Sequence, residues 1–346
     1  MHDSGAGVAK GRRSTAVKIL LWLSGLVAAL AVAVYAAFQF SPWPSALIYR
    51  YVFDQGGRAT AAALEKHVPP GVTSKLNEQY DPGDSDALLD VFYPSDIENA
   101  GKVLTTIVWI HGGGFFAGTK DDIANYARIL AAKGYTVVGV DYSLAPGARY
   151  PTPLRQVNAA LAFLMKNAAR SHIDPARLVL AGDSAGAQIA AQTAAIISDP
   201  VYAKAVGIEP AIEHTQLIGA ILYCGVYDRR LIKFEGPFAG FLRTVGWSYF
   251  GTPDFLDLPS AAQFSVVENI PADYPPVFIS AGNDDPLLPH SLSMADTLEK
   301  RGVAVDRLFF SKDYTPPLPH EYQFNLDTDA GKIAFERTLN FLAGLH

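Results

Sequence analysis

The stretch Gly182-Asp183-Ser184-Ala185-Gly186 decides the fold, because it joins two segments of different character. Residues 177–181 before it form a short apolar run of strand length. Residues 187–197 after it are rich in alanine and isoleucine and predict a helix. A serine between small residues at such a junction is the context in which a nucleophilic hydroxyl stands exposed on a sharp turn. Such a five-residue pattern also arises by chance in a chain rich in glycine and alanine. Other motifs in the chain must therefore show whether Ser184 is a nucleophile.

Three further motifs favour a nucleophilic serine. His111-Gly112-Gly113-Gly114-Phe115 directly follows an apolar strand that ends at Ile110. Consecutive glycines let the backbone turn tightly and present N–H groups to a cavity, where they stabilise a developing negative charge. Gly282-Asn283-Asp284-Asp285-Pro286-Leu287 follows the next-to-last predicted strand, and Leu318-Pro319-His320 follows the last. An acid and a histidine in these places complete the chain order of a Ser-Asp-His triad.

These motifs resemble those of α/β-hydrolases of the hormone-sensitive-lipase-like esterase group and, more broadly, of bacterial carboxylesterases. The resemblance covers most of the chain after the N-terminal apolar run, at residues 111–115, 141–146, 182–186, 285–287 and His320. It implies Ser184 as the nucleophile, His320 as the base and Asp285, which precedes Pro286-Leu287 as the family acid does, as the acid. It also implies that the N–H groups of Gly113, Gly114 and Ala185 form the oxyanion hole.

Three positions depart from the pattern of that group, and a second histidine competes for the role of the base. Ser143 stands where arginine is common, Gln156 where an acid is common, and Glu321 where glycine follows the histidine. None of these changes removes a catalytic group, but together they leave the substrate open. His290 lies five residues after Asp285, at the start of a predicted helix before the last strand, and is therefore poorly placed as the base.

From about residue 72 onward, short apolar runs alternate with helical segments. Runs of strand type occupy residues 88–94, 105–110, 136–142, 217–224, 276–280 and 305–310, and helices are expected at 122–133, 154–170, 291–301 and 332–342. Continuous apolar strands that alternate with helices indicate an α/β protein with a mostly parallel sheet. We therefore expect one α/β-hydrolase domain over residues 72–346, with cap or lid insertions.

The N-terminal region predicts a membrane anchor. Residues 19–40 are apolar and uncharged, and as a helix they are long enough to cross a hydrocarbon core of ~30 Å. Because the basic residues lie in segment 1–18, the positive-inside rule places that segment in the cytoplasm and the catalytic domain on the non-cytoplasmic side, periplasmic in a bacterium. A cleaved secretory signal, with a weak cleavage site at Val34-Tyr35-Ala36, is the alternative.

Two segments each allow two interpretations. In the juxtamembrane segment 41–71, residues 45–66 predict an amphipathic helix that either packs on the body or covers the active site. The long connection 228–271 is rich in aromatic residues, which either form a substrate lid or fill a small core of their own.

Composition narrows the function classes. The net charge of the 346-residue chain is −6; residues 1–18 carry +3, so the remainder carries −9, which does not favour binding to nucleic acid. The single cysteine, Cys224, excludes an intrachain disulfide and is expected in the core. His320-Glu321 is not followed by the second histidine of a zinc-binding H-E-x-x-H motif. We expect no metal and no cofactor.

Together the motifs predict a serine hydrolase that cleaves carboxylic esters through an acyl-serine intermediate. The expected substrate is a small-molecule or lipid ester, and the expected membrane contact is the N-terminal helix. An amidase or formamidase that uses the same triad is one alternative, and a non-catalytic binding protein of the hydrolase fold is another. The acyl length and the oligomeric state stay open.

Overall fold

The computed structural model describes residues 6–98 and 100–345, with side chains from Val17 onward. The alternation expected from the sequence is present in this part of the chain. The strands are β1 (Val72–Gln79), β2 (Leu88–Pro94), β3 (Leu104–Ile110), β4 (Thr136–Val140), β5 (Ile173–Asp183), β6 (Leu217–Tyr223), β7 (Val277–Ala281) and β8 (Val305–Phe309). The helices are α1 (Ala6–Phe40), α2 (Trp43–Glu65), α3 (Ala124–Ala131), α4 (Thr152–Lys166), α5 (Ser184–Ser198), α6 (Pro200–Val206), α7 (Ala239–Phe250), α8 (Pro259–Phe264), α9 (Leu288–Lys300) and α10 (Asp329–Ala343).

The strands form one sheet in the order β1-β2-β4-β3-β5-β6-β7-β8. The pairs β1–β2 and β2–β4 are antiparallel, and every pair from β4 through β8 is parallel. The expectation of a mostly parallel α/β sheet is therefore confirmed. In a parallel sheet the carboxyl ends of the strands share one edge, where ligands bind. The loops after β3, β5, β7 and β8 meet at that edge, and these loops carry the predicted motifs.

The core lies on both faces of this sheet, which explains the continuous apolar runs. In β3, Val108 and Ile110 pack in one apolar cluster, whereas Ile107 and Trp109 pack in the cluster on the opposite face. Successive side chains of a strand point to opposite faces, so a strand covered by helices on both sides needs apolar residues at every position.

Helix α1 contains an apolar segment, Val17–Phe40, of 24 residues with a mean hydropathy of 2.3, and this segment is not buried against the rest of the protein. Its length and composition fit either a membrane span or a secretory signal sequence. Ser41 and Pro42 then separate α1 from α2, and Pro44 lies in the first turn of α2. Of the expected basic segment 1–18, residues 1–5 lie outside the described residues.

The long connection 228–271 forms α7, α8 and short turns. Its aromatic side chains partly pack on each other, as in the stacked pair Phe250–Phe255 with ring centroids 5.4 Å apart. Phe241 instead packs on Phe53 of α2 at 5.5 Å. The aromatic residues of the insertion therefore form a small core of their own in part and pack on α2 in part.

Candidate active site

Ser184 lies at the junction of β5 and α5, where the sequence predicts it. Its φ is +51°, a left-handed conformation that is uncommon for a residue with a Cβ. A Cβ on Gly182 would overlap the backbone of Gly186, and a Cβ on Gly186 would overlap the carbonyl oxygens of Ile110 and His111. Glycine at both positions therefore lets α5 start directly against β3 and β5, and this close contact fixes the position of the Ser184 hydroxyl.

His320 connects Ser184 to Asp285. Its Nδ1 lies 2.9 Å from Oδ2 of Asp285, and its Nε2 lies 3.0 Å from Oγ of Ser184. Because a carboxylate oxygen only accepts, the Nδ1–H donates to Asp285 and Nε2 is free to accept the hydroxyl proton. The structure thus brings together the three residues that the sequence singles out.

The two adjacent acids, Asp284 and Asp285, have different surroundings in the structure. Asp285 is buried, with 4% of its surface exposed, and its Oδ1 accepts a hydrogen bond from the N–H of Leu287 at 2.8 Å. Asp284 is exposed, and its backbone N–H donates to the carbonyl of Leu318 at 3.0 Å. Asp285 is therefore the acid that faces His320, whereas Asp284 ties the loop after β7 to the loop that carries His320.

The surroundings of His320 raise its pKa well above the usual value. Burial of the ring lowers the pKa, but contacts with Cys224, Asp285 and Glu321 outweigh this effect. Burial raises the pKa of the Cys224 thiol to about 11, so the thiol is neutral near pH 7. The carboxylates of Asp285 and Glu321 are then the neighbours that favour the imidazolium.

The expected oxyanion hole is divided between two cavities. Gly114 and Ala185 line the same cavity as Ser184, and Ala185 is the second residue of α5, where N–H groups have no partner within the helix. Gly113 instead lines the neighbouring cavity, together with Gly112. Gly113 and Gly114 have φ values of +104° and +60°. The structure therefore brings two of the three expected donors to the serine and places the third one residue away in the same turn.

His111 holds this glycine loop in place. Its ring stacks on Tyr142 with centroids 4.3 Å apart, and its Nδ1 donates to the carbonyl of Gly112 at 2.8 Å. Burial lowers the pKa of His111 to about 4. It is therefore neutral near pH 7, and its contacts give it a structural role.

A pair of carboxyl groups beside the histidine is a feature that the sequence did not reveal. Glu321 adopts φ +60°, a conformation that suits the glycine usual at this position, and its Oε1 lies 3.7 Å from Nε2 of His320. Its carboxyl group also bonds to that of Asp183, and both burial and this neighbour raise the pKa of Asp183 well above its usual value. The raised pKa favours the protonated form of Asp183, which can then donate to the carboxyl group of Glu321. The signal in the sequence was the acidic residue directly after His320, where glycine is usual.

Asp183 links the serine turn to the glycine loop. Its Oδ1 accepts a hydrogen bond from Nε1 of Trp109 at 2.8 Å, and Gly112 packs so closely on its carboxyl group that a Cβ on Gly112 would overlap Oδ2. Trp109 belongs to β3, Gly112 to the loop after β3, and Asp183 directly precedes Ser184. The residue before the serine therefore holds the loop that carries the expected oxyanion donors.

The cavity beside Ser184 is apolar and narrow. Its volume is about 50 Å³, and a single water molecule needs roughly 10–15 Å³ of such space. The cavity therefore accommodates only a few non-hydrogen atoms. Helix α7 and the adjoining insertion supply much of the lining, which includes Ile232, Phe241, Leu242, Val245, Gly246, Tyr249, Phe250, Phe255 and Phe264.

Two of the departures from the family pattern bond to each other. The N–H of Ser143 donates to Oε1 of Gln156 at 2.8 Å, and Nε2 of Gln156 donates to Oγ of Ser143 at 2.7 Å. The Ser143 hydroxyl in turn donates to Asp86 at 2.8 Å. These residues form a connected polar network, so the two substitutions compensate for each other.

Three side chains at the site also have the chemistry of metal ligands. Cys224, Asp285 and His320 each offer one ligand atom, and these atoms lie within 4.8 Å of one another. Nδ1 of His320 and Oδ2 of Asp285 already bond to each other, however, and a metal prefers the thiolate form of cysteine, which the raised pKa of Cys224 disfavours. The arrangement fits a hydrogen-bonded triad better than a metal centre.

Comparison with known proteins assigns the family. A profile of the α/β hydrolase fold matches residues 107–314, which is more than half of the chain. The chain therefore belongs to the α/β-hydrolase family, as the motifs indicated. The acetyl esterases of Salmonella paratyphi B and Salmonella agona are 31% identical to it over 205 residues, which are 56% of this chain and 59% of theirs. The chain thus spans about three fifths of the length of these relatives.

Solved structures show the same fold. Esterase B from Lactobacillus Rhamnosis aligns with a TM-score of 0.68 at 22% identity, over 85% of this chain and 95% of that one. A bacterial heroin esterase aligns with a TM-score of 0.66 at 24% identity, over 86% and 91% of the two chains. EstE1, a thermophilic carboxylesterase cloned from a metagenomic library, aligns with a TM-score of 0.67 at 21% identity, over 89% and 99%. At these identities the likeness concerns the fold.

Proposed function

We propose that this protein hydrolyses carboxylic esters, with Ser184 as the nucleophile, His320 as the general base and Asp285 as the acid that orients it. The observation that carries the proposal is the pair of contacts of His320, 2.9 Å to Asp285 and 3.0 Å to Ser184. This is the geometry in which an imidazole removes the proton of an attacking hydroxyl. The acetyl esterases that share the family support the ester as the reacting bond.

The reaction proceeds in two steps. Oγ of Ser184 attacks the acyl carbonyl while Nε2 of His320 takes its proton. The N–H groups of Gly114 and Ala185, which line the same cavity, stabilise the oxyanion, each donor contributing roughly 3–4 kcal/mol, and Gly113 in the adjoining turn is the third expected donor. His320 then protonates the departing alcohol and leaves an acyl-serine. Water then gives a proton to the same nitrogen and attacks the acyl-serine, the carboxylic acid leaves, and His320 returns the proton to Oγ of Ser184.

The substrate is an ester with a short acyl group. The cavity beside Ser184 has a volume of about 50 Å³ and an apolar lining, which suits an acetyl to butyryl group and opposes a long chain. The names of the acetyl esterase relatives agree with this assignment. The part of insertion 228–271 that lines the cavity acts as its lid and sets the acyl length.

The chain divides into a basic cytoplasmic segment (1–18), a membrane anchor (19–40), a juxtamembrane segment (41–71) and a catalytic domain (72–346) on the non-cytoplasmic side. The support is the apolar segment Val17–Phe40 with its basic flank before it. In spheroplasts of a bacterial host that expresses the chain, added protease should digest the body and leave a membrane-bound stub. Protection until lysis would reverse the topology, and release of a fragment that begins near Ala37 would identify a signal peptide.

The test of the activity uses the full chain in detergent with p-nitrophenyl esters of two to twelve carbons. We expect the highest kcat/KM at two to four carbons, and a Ser184→Ala variant that loses about 10⁶-fold in kcat. A fluorophosphonate should label wild-type protein at Ser184 alone. Equal turnover by wild type and Ser184→Ala would overturn the assignment, and folded wild type without turnover on any ester would indicate a binding protein.

The same panel separates an esterase from an amidase or formamidase. The corresponding p-nitroanilides and an aryl formamide present the same acyl groups with a poorer leaving group, which His320 must protonate. We expect the ester to be preferred by several orders of magnitude in kcat/KM. An amide or formamide that reacts as fast as the matched ester would favour the alternative on the same triad.

A further inference from the structure

Helix α2 has an exposed apolar face, and the two residues at its edges, Trp43 and Val52, also line cavities against the body. Five large side chains on this face are 44% to 68% exposed, and we call them the outer face of α2: Trp43, Leu47, Ile48, Tyr51 and Val52. Their spacing of three to four residues places them along one side of the first three turns. Within α2 the exposed charged residues, Arg58 and Glu65, both lie further along the helix.

The opposite face of α2 already packs on the body, so the outer face cannot turn inward. Tyr49 and Phe53 contact Phe241 with ring centroids 5.4 and 5.5 Å apart. The guanidinium of Arg50 donates to the carbonyl of Phe116 and, at 2.8 Å, to that of Ala145. Apart from Arg50, the first half of α2 is therefore apolar on both sides, a pattern typical of a helix that is covered on both sides.

The position of α2 in the chain indicates what covers the outer face. Only Ser41 and Pro42 separate it from the apolar segment Val17–Phe40. At 1.5 Å per residue that segment is long enough for the ~30 Å hydrocarbon core, so its end lies at the bilayer surface. Trp43, the first residue of α2, is of the type that is enriched at this level.

We propose that the outer face of α2 lies in the surface layer of the bilayer that α1 crosses, as an interfacial helix between the anchor and the body. This rests on the proposed anchor and not on the proposed chemistry. A helix with tryptophan and aliphatic side chains on one face buries that face in the boundary between headgroups and acyl chains. Through Tyr49 and Phe53 the same helix holds Phe241, which lines the cavity at Ser184. The lid is thereby placed next to the lipid.

The test compares two labelled positions in the full chain. Ile48→Cys places a cysteine on the outer face, and the matched Val201→Cys places one on α6, where Val201 is 79% exposed. The native Cys224 is buried, so one nitrobenzoxadiazole label per chain reports a folded protein. Both variants are reconstituted in phosphatidylcholine vesicles with and without lipids that carry a nitroxide near the headgroup.

We expect the nitroxide lipids to quench the label at position 48 at least two-fold and to leave the label at position 201 unchanged. Iodide in the buffer should quench the label at position 201 more strongly than the label at position 48. A label at position 48 that only iodide quenches would show that the outer face is in water. A label that neither agent reaches would show that a second copy of the chain covers it. Either result overturns the proposal, as does failure of the chain to float with the vesicles.

A separate measurement distinguishes this proposal from the proposed function. Both labelled variants should hydrolyse p-nitrophenyl acetate in detergent at the wild-type rate, because neither position lines the cavity at Ser184. If the wild type is inactive, the fluorescence still locates α2. If the wild type is active and the label at position 48 is in water, the esterase assignment stands and the membrane contact is wrong.

Discussion

Two histidines lie near the carboxyl edge of the sheet, the buried His290 and the half-buried His320, and each has an aspartate beside it. Nδ1 of His320 donates to the carboxylate of Asp285 at 2.9 Å. Nδ1 of His290 instead accepts a hydrogen bond from the backbone N–H of Asp228 at 3.3 Å. The carboxylate of Asp228 turns away and bonds to Arg230 at 2.8 Å. The two neighbourhoods have the same residue types but differ in which atom of the aspartate faces the ring.

The pKa values of the two histidines are shifted in opposite directions. Burial lowers the pKa of His290 to about 4, and the nearby charges of Asp228 and Asp285 offset only part of this. The pKa of His320 is raised, although burial acts on it in the same direction. The pKa of a histidine is therefore raised where a carboxylate accepts its Nδ1 proton, and proximity to an acid in the sequence is not sufficient for this.

The largest difference between the two histidines is expected when each is replaced with asparagine. Its Oδ1 can take the place of Nδ1 as a hydrogen-bond acceptor. His320→Asn should lose about 10⁶-fold in kcat, because the triad acts as a unit. His290→Asn keeps an acceptor for the N–H of Asp228 and should change kcat by less than about ten-fold. Steady-state hydrolysis of p-nitrophenyl acetate measures both. Equal losses in two folded variants would mean that His290 shares the catalytic role.

The second test compares the adjacent acids. Asp285→Asn should lower kcat by about 10⁴-fold, because an amide no longer holds the productive tautomer of His320. Asp284→Asn should cost far less, because Asp284 is exposed and joins the loops through its backbone. The two variants have the same change in charge, so each is the control for the other. A larger loss in Asp284→Asn would move the acid one residue upstream.

The smallest expected effect concerns Glu321. The side chains that face His320 are Asp285, Glu321, Cys224 and Ser184, and the charge of Glu321 raises the pKa of His320. A base must be neutral to act, so the acid limb of kcat/KM follows this pKa. Glu321→Gln removes this charge and should lower the pKa of His320, so the acid limb of kcat/KM should move to lower pH. The expected shift is about half a pH unit, because the charge is half-exposed and lies 3.7 Å from the ring.

A second variant at this position separates charge from backbone conformation. Glu321→Gly also removes the charge, and it relaxes a φ of +60° that suits glycine. If the charge acts on His320, both variants shift the acid limb in the same direction by a similar amount. A shift in Glu321→Gly alone, or a shift to higher pH in both, would contradict this explanation.

The sequence predicted the parts of the fold that depend on local pattern. β3 reads as a strand because every residue from Ile107 to Ile110 is buried on one face or the other. The turn at Ser184 was evident because Gly182 and Gly186 have no space for a side chain. Family resemblance also identified Asp285, which the structure brings to His320. The catalytic roles of these residues stay predictions until they are measured.

Other parts depend on contacts between distant segments, which no local pattern records. The bond between Asp183 and Glu321 joins residues 138 positions apart, and each residue alone reads as an ordinary acid. Gly113 was expected beside Ser184 but lines the neighbouring cavity, because the path of the loop after β3 depends on Asp183 and His111. The outer face of α2 escaped notice because its apolar residues also fit an amphipathic helix packed on the body.

The position of Asp183 couples the unfolding of the serine turn on heating to that of the central strands. Its carboxyl group accepts a hydrogen bond from Trp109 and packs against Gly112, and Gly186 packs against the backbone of Ile110. Ser184 and the loop opposite it therefore belong to the same cooperative unit as the central strands. The site is therefore expected to unfold together with the central strands and not in a separate transition. Hydrolytic activity and near-ultraviolet circular dichroism should therefore disappear in one transition.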